Sequence, residues 1–187
     1  TCALPIWRIL DAIGSWWTSI HGHGHPRIVA AIQEQAARLD HVMFAGFTHA
    51  PAVELAEALV RAAPAGYGKV FFADCGSAAV EVALKLSFQS HHQRGDARRT
   101  RFAALTHGYH GETLGALAVS GSDLYRGTFA PILPIEPLYL PSPALDDHEP
   151  SALGSDAGAD TPEAEAAVAA LRVRAPQLAA LVLEPLV

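Results

Sequence analysis

The chain has 187 residues, half of them hydrophobic, with 13 basic and 19 acidic side chains and a formal net charge of −6. That apolar share excludes a disordered chain, and no uninterrupted apolar run approaches the roughly 20 residues of a membrane span. Net acidity speaks against nucleic-acid binding, which relies on basic patches, and two cysteines, Cys2 and Cys75, are too few for a disulfide framework. The compartment they point to is reducing and cytoplasmic.

The acidity is local. Residues 128–170 hold no Lys or Arg but carry eight of the acids, from Glu136 to Glu165. The N-terminus has neither the basic start nor the apolar stretch of a signal peptide, and it lacks an initiating Met. Leu181 to Val187 stops inside an apolar run without a closing turn. Both ends read as cut.

In chain order, residues 8–20 are rich in β-branched and aromatic side chains and read as short strands or turns. Trp16 and Trp17 are adjacent, so on an extended chain they face opposite ways: one is expected in the core, the other free to wall a pocket. His21-Gly-His-Gly-His-Pro26 is a turn, with Pro26 suited to the first turn of a helix. Ile28, Ile32, Ala36 and Leu39 keep helical spacing, which predicts an amphipathic helix over 27–39. A Gly-containing loop over 41–49 leads to Pro51, which opens a second helix ending near Pro64. Residues 69–74 form an apolar run of strand length, followed by a helix from Ser77 towards Gly95. Residues 101–106 predict another strand, running into a short helix after Glu112. Residues 141–160 are rich in Pro, Ser, Ala, Gly and Asp and read as an acidic surface loop. Thr161-Pro-Glu-Ala-Glu is a helix start and 179–184 a final buried strand. Strand–helix alternation from residue 69 onwards predicts an α/β domain with a mostly parallel sheet.

Two junctions carry the chemistry. At Asp74-Cys75-Gly76-Ser77 a strand gives way to a helix, whose free N–H groups and Ser77 hydroxyl make a ready anion site. The plainer reading is that Ser77 caps its helix. Neither a Walker P-loop nor a Gly-x-Gly-x-x-Gly turn is present. At Thr106-His-Gly-Tyr-His-Gly-Glu112 the chain passes the carboxyl end of a strand, where open α/β sheets bind ligands. Tyr109 could stack on a planar ring and Glu112 could orient a polar group, or the segment is only a turn before a helix. His21, His23 and His25 tempt a metal reading, but one turn cannot close a tetrahedral site, so a polar turn is expected and no metal. Cys75 reads as a small buried filler. Of the two lysines, Lys85 follows Glu81 at i,i+4 as an ordinary ion pair, and Lys69 starts a strand. Neither fits the apolar, desolvated setting of a Schiff-base lysine.

Gly76-Ser77 after an Ala-Asp strand end, Tyr109-His110-Gly111-Glu112 after the next strand, and Leu183-Glu184-Pro185 at the tail occur in one order. Together they resemble the class III aminotransferases, pyridoxal 5′-phosphate enzymes of fold type I. Residues 15–26, with the Trp pair, and 41–51, with His-Val-Met-Phe, narrow the likeness to one branch. That branch takes the amino group of S-adenosyl-L-methionine to convert 8-amino-7-oxononanoate into 7,8-diaminononanoate, in biotin synthesis. The likeness runs from about Arg8 to Val187 and is weakest over 120–165.

The resemblance implies a mostly parallel sheet flanked by helices, incomplete at the C-terminus. Residues 1–45 would be the N-terminal segment of a small domain, and 46–187 the first part of the large cofactor-binding domain. Gly76 and Ser77 would hold the cofactor phosphate, Tyr109 would lie against the pyridine ring and touch substrate, and Trp16 would line the substrate pocket. Glu112 and Glu184 would stand near the active site with open duties. The family's Schiff-base lysine, its pyridine-facing aspartate and its substrate-carboxylate arginine would all lie beyond Val187, so this chain holds no catalytic residue and is expected to be inactive alone. The full-length enzyme would be a homodimer. Other readings are a class III transaminase acting on a diamine or ω-amino acid, and a non-catalytic fragment or paralogue.

Overall fold

Residues 9–142 and 162–184 are described by the structure, a computed structural model, and they divide between two separately packed units, Thr1–Val70 and Phe71–Val187. The acidic stretch over 143–160 and the capping role expected of Thr161 lie outside the described residues.

In the N-terminal unit the helices fall where apolar spacing and proline put them. After α1 (Gly14–Trp17), α2 spans Pro26–Arg38 and α3 spans Ala50–Ala62, each with proline in its first turn. His49 caps α3, its Nδ1 accepting the N–H of Ala52 at 3.4 Å. Ile28, Ile32 and Ala36 of α2 line an open groove together with His21, His25 and Pro51. Of the strands or turns expected over 8–20, the described residues 9–20 form turns: α1 is a four-residue turn in which Ser15 and Trp16 are left-handed, at φ 49° and 54°. The Trp pair is therefore not on extended chain, and both rings are exposed, Trp16 at 76% and Trp17 at 81%. Neither enters a core within the described residues.

The C-terminal unit is built on a parallel sheet, in the order β2-β1-β3, from β1 (Arg101–Leu105), β2 (Leu138–Leu140) and β3 (Leu178–Val182). Helix α4 (Gly76–Gln93) and α5 (Leu114–Val119) cover one face, and α7 (Pro162–Arg174) covers the other. Alternation along β1 sends Phe102 and Ala104 towards Leu84 of α4 and Val119 of α5, and sends Ala103 towards Ala167 of α7. A strand covered on both faces reads as an unbroken apolar run, which is why Arg101–Leu105 was legible. Ala103 and Ala104 are fully buried, and their small side chains let both helical layers close on the strand. Between β1 and β2 the chain passes through α5, α6 (Asp123–Arg126) and a 3-10 turn (Gly127–Ile132). Tyr139 of β2 pins this excursion, its hydroxyl donating to the carbonyl of Ala118 at 2.7 Å while Arg126 lies over its ring. The parallel sheet flanked by helices agrees with the expected fold class.

Residues 69–74 are not a strand. The described sheet contains none of them, and Phe71 stays 68% exposed. The expected Glu81–Lys85 ion pair is also absent among the described residues. Glu81 turns instead to the N-terminus of α5, where its Oε1 accepts the N–H of Gly115 at 2.8 Å and of Ala116 at 3.3 Å. A buried helix end with orphaned N–H groups is a stronger demand on a carboxylate than an exposed lysine. The approach needs Gly115, since a Cβ there would overlap the carboxylate. Glu81→Ala is expected to destabilise this unit by about 1–3 kcal/mol, and Lys85→Ala to stay within about 0.5 kcal/mol, in urea unfolding.

Candidate active site

The two junctions meet. Helix α4 starts at Gly76, and its cap is Cys75, whose Sγ accepts the N–H of Ala78 at 3.5 Å. Cys75 is thus an exposed capping residue and not a buried filler. With the cap supplied by Cys75, the Ser77 hydroxyl can serve the neighbouring loop, where its Oγ accepts the N–H of Glu112 at 3.1 Å. Having accepted, it retains its own proton to donate. No acceptor among the described residues takes the N–H groups of Gly76 and Ser77, and the space where a Gly76 Cβ would sit is open. These are the features of a helix N-terminus open to an anion.

The loop from Thr106 to Thr113 leaves β1 and is tied, one N–H at a time, to different parts of the unit. Thr106 donates to Leu140 O at 2.8 Å, His110 to the buried Ser120 Oγ at 2.9 Å, and Tyr109 to Glu184 Oε2 at 2.8 Å. Gly108 accepts from the N–H of Gly121 at 2.8 Å. Glu184 lies just past β3, so its contact with Tyr109 joins the carboxyl ends of two adjacent parallel strands, the edge where such sheets bind ligands. Gly111, at φ 126°, is required: a Cβ would collide with the Ser77 side chain.

The Tyr109 hydroxyl donates to Glu112 Oε1 at 3.3 Å, and its ring meets Tyr125 at 5.2 Å between centroids, tilted by 59°. Burial pushes the Tyr109 phenol up from 10.0, and the neighbouring Glu112 charge pushes the same way, so it is neutral near pH 7. The His110 imidazole is held below 6.5 by burial, with the Glu184 charge pulling in the opposite direction. Its Nε2 is buried without a partner among the described residues.

Of the residues singled out in the sequence, Gly76, Ser77, Tyr109, Glu112 and Glu184 come together. Trp16 belongs to the other unit, where it is exposed. Among the described residues no group of three or more His, Cys, Asp or Glu is placed to hold a metal ion, and no helix is long and apolar enough to cross a membrane. The sequence reading missed Glu81, Ser120 and Tyr125. The one available signal was Gly115, which marks the close approach of Glu81; nothing local pointed to Ser120 or Tyr125.

His110 yields a pH dependence. A histidine whose folded value lies below its unfolded one loses stability as pH falls, because the unfolded state then binds the proton more readily. The His110 ring is expected to titrate below 6.5 by NMR, with the stability of this unit falling as pH drops beneath that value.

The family model described as aminotransferase class-III matches residues 7–187. An adenosylmethionine-8-amino-7-oxononanoate aminotransferase of Synechococcus elongatus is 42% identical over 182 residues, 96% of this chain and 41% of that protein. One from Nitratidesulfovibrio vulgaris is 46% identical over 138 residues, 73% of this chain and 25% of its own length. Among solved structures, the enzyme of that name from Methanocaldococcus jannaschii superposes with a TM-score of 0.81 at 31% identity, covering 92% of this chain and 36% of that one. An amine transaminase from an uncultivated Pseudomonas species, in its PLP-bound form, gives 0.78 at 31% identity, covering 94% and 40%. The chain thus spans less than half the length of these relatives. It belongs to the class III aminotransferases.

Proposed function

We propose that this chain is the N-terminal portion of a pyridoxal 5′-phosphate-dependent aminotransferase that passes the amino group of S-adenosyl-L-methionine to 8-amino-7-oxononanoate, giving 7,8-diaminononanoate in biotin synthesis. The observation that carries the cofactor half is the pair of unclaimed N–H groups at Gly76 and Ser77 beside a hydroxyl with its proton to give. The substrate half rests on the relatives, which bear the name of this reaction at 42% and 46% identity. The same reading takes the full-length enzyme as a cytoplasmic homodimer, with residues 1–45 in its small domain.

Bound pyridoxal phosphate supplies the electron sink for moving an amino group between carbon skeletons. The residues of this chain bind and orient. The helix dipole of α4, the N–H groups of Gly76 and Ser77 and the Ser77 hydroxyl would receive the phosphate, a setting that favours negative charge. Tyr109 would lie against the pyridine ring; its backbone is held by Glu184 and its hydroxyl by Glu112, so its own ring keeps one orientation. The neutral phenol gives its one proton to Glu112, so towards substrate its oxygen would act as a hydrogen-bond acceptor. Trp16 offers an apolar wall to the substrate. Lys69 and Lys85 are both exposed, unlike the desolvated amine that a Schiff base calls for, so neither is proposed for that role.

The full-length enzyme is expected to form 7,8-diaminononanoate from S-adenosyl-L-methionine and 8-amino-7-oxononanoate in a coupled assay. Turnover only with alanine, ornithine or other ω-amine donors would transfer the assignment to the ω-transaminase branch, and no turnover with any donor would favour a non-catalytic protein. In the same enzyme, Ser77→Ala removes a hydrogen bond to a charged group, worth about 1.5–3 kcal/mol, or roughly 10- to 150-fold in affinity. That loss is expected for pyridoxal phosphate and not for unphosphorylated pyridoxal, by equilibrium dialysis.

A further inference from the structure

We infer that Asp11 is a positioning residue for Trp16, holding a left-handed turn that sets the indole for substrate; this rests on the reading that Trp16 meets substrate. Gly14, Ser15, Trp16 and Trp17 all have positive φ, at 55°, 49°, 54° and 66°. That conformation is unfavourable for every L-residue and a pronounced outlier for a side chain as large as Trp. Packing does not compensate, because both indoles are exposed. Polar contacts do. The Asp11 carboxylate accepts the Ser15 N–H at Oδ1 (2.9 Å) and the Ser15 hydroxyl at Oδ2 (2.6 Å), and the same Oδ2 takes His23 Nε2 at 2.7 Å. Two backbone bonds close the turn, from Trp17 N–H to Ile13 O at 3.0 Å and from Ser19 N–H to Gly14 O at 2.8 Å.

The carboxylate thus joins the strained turn to the histidine turn twelve residues further on. It also gives His23 a use that needs no metal: the imidazole braces Asp11. Ser15's hydroxyl, its N–H and His23, in that order, hold the Asp11 carboxyl down at about 2, so it stays ionised at every pH at which the protein is handled. A backbone kept in a costly conformation at the surface, and held there by three hydrogen bonds to one carboxylate, is the pattern expected where a side chain must be presented rather than packed. Asp11 does not touch substrate. It acts through Trp16.

The test has two readouts. In the 187-residue chain carrying Trp7→Phe and Trp17→Phe, Trp16 is the sole indole, and its fluorescence anisotropy decay reports how firmly it is held. Asp11→Ala is expected to abolish most of the slow component, and Asp11→Asn, which keeps an acceptor for the Ser15 N–H, to give an intermediate loss. A decay unchanged by Asp11→Ala overturns the proposal. In the full-length enzyme, Asp11→Ala is expected to raise KM for 8-amino-7-oxononanoate about fivefold or more with kcat little changed, and to have no further effect in a Trp16→Ala background. An equal rise in both backgrounds overturns the proposal, since Asp11 would then act independently of the indole. If Trp16→Ala leaves KM untouched while the anisotropy falls as expected, the clasp stands and the substrate role of Trp16 is what fails.

Discussion

The hydrogen bond from the Glu112 N–H to the Ser77 hydroxyl sets the register between the N-terminus of α4 and the loop that follows β1. It is possible only because Cys75 has already taken the capping duty and because Gly111 lacks a Cβ that would strike Ser77. One such bond contributes about 1 kcal/mol, too little to hold a loop alone. The loop is over-determined by its other anchors: Ser120 on His110, Glu184 on Tyr109, and Glu81 on the helix that follows. Each comes from a different part of the unit, so slipping the loop by one residue would break several bonds at once. The open N-terminus of α4 and the Tyr109 ring are thereby fixed relative to one another before any ligand arrives, which is preorganisation for the phosphate and ring proposed to bind there.

What made this site legible was local. Helices α2 and α3 follow from apolar spacing and from proline in the first turn, α4 from the Gly76-Ser77 start and the apolar residues after it, and β1 from an apolar run covered on both faces. The two Gly-containing junctions stood out because they put hydrogen-bonding side chains at an element's end, where open backbone groups are guaranteed. The structure brings Gly76, Ser77, Tyr109, Glu112 and Glu184 together, but their wiring was not readable. Glu81 is the instructive case. An i,i+4 lysine offered a ready partner, while the real one, the amide end of α5, is more than thirty residues away in the chain. Ser120 was hidden for the same reason, as its hydroxyl serves a loop ten residues earlier.

Residues 69–74 and the Trp pair failed in a different way. Strand propensity describes a pleated surface waiting for a neighbour, and no described strand lies beside Lys69–Asp74. Periodicity cannot reveal a missing partner. For Trp16 and Trp17, alternation assumed extended backbone, whereas the chain turns left-handed under the hold of Asp11. Composition left strand and turn open, and the Asp11 carboxylate, with two hydrogen bonds from Ser15, settles on the turn. The first case shows local preference left without a neighbour, and the second shows it giving way to specific polar contacts, at a residue we propose meets substrate.

The dependence of the site on Ser77 can be read at one amide. Hydrogen exchange followed by NMR in the 187-residue chain compares Glu112, whose N–H is held by Ser77, with Gly115, whose N–H is held by Glu81. Ser77→Ala is predicted to accelerate exchange at Glu112 by about tenfold, the equivalent of one lost hydrogen bond, while leaving Gly115 as protected as before. Unchanged exchange at Glu112 would contradict the account, because the loop and the helix would then keep their register without the serine.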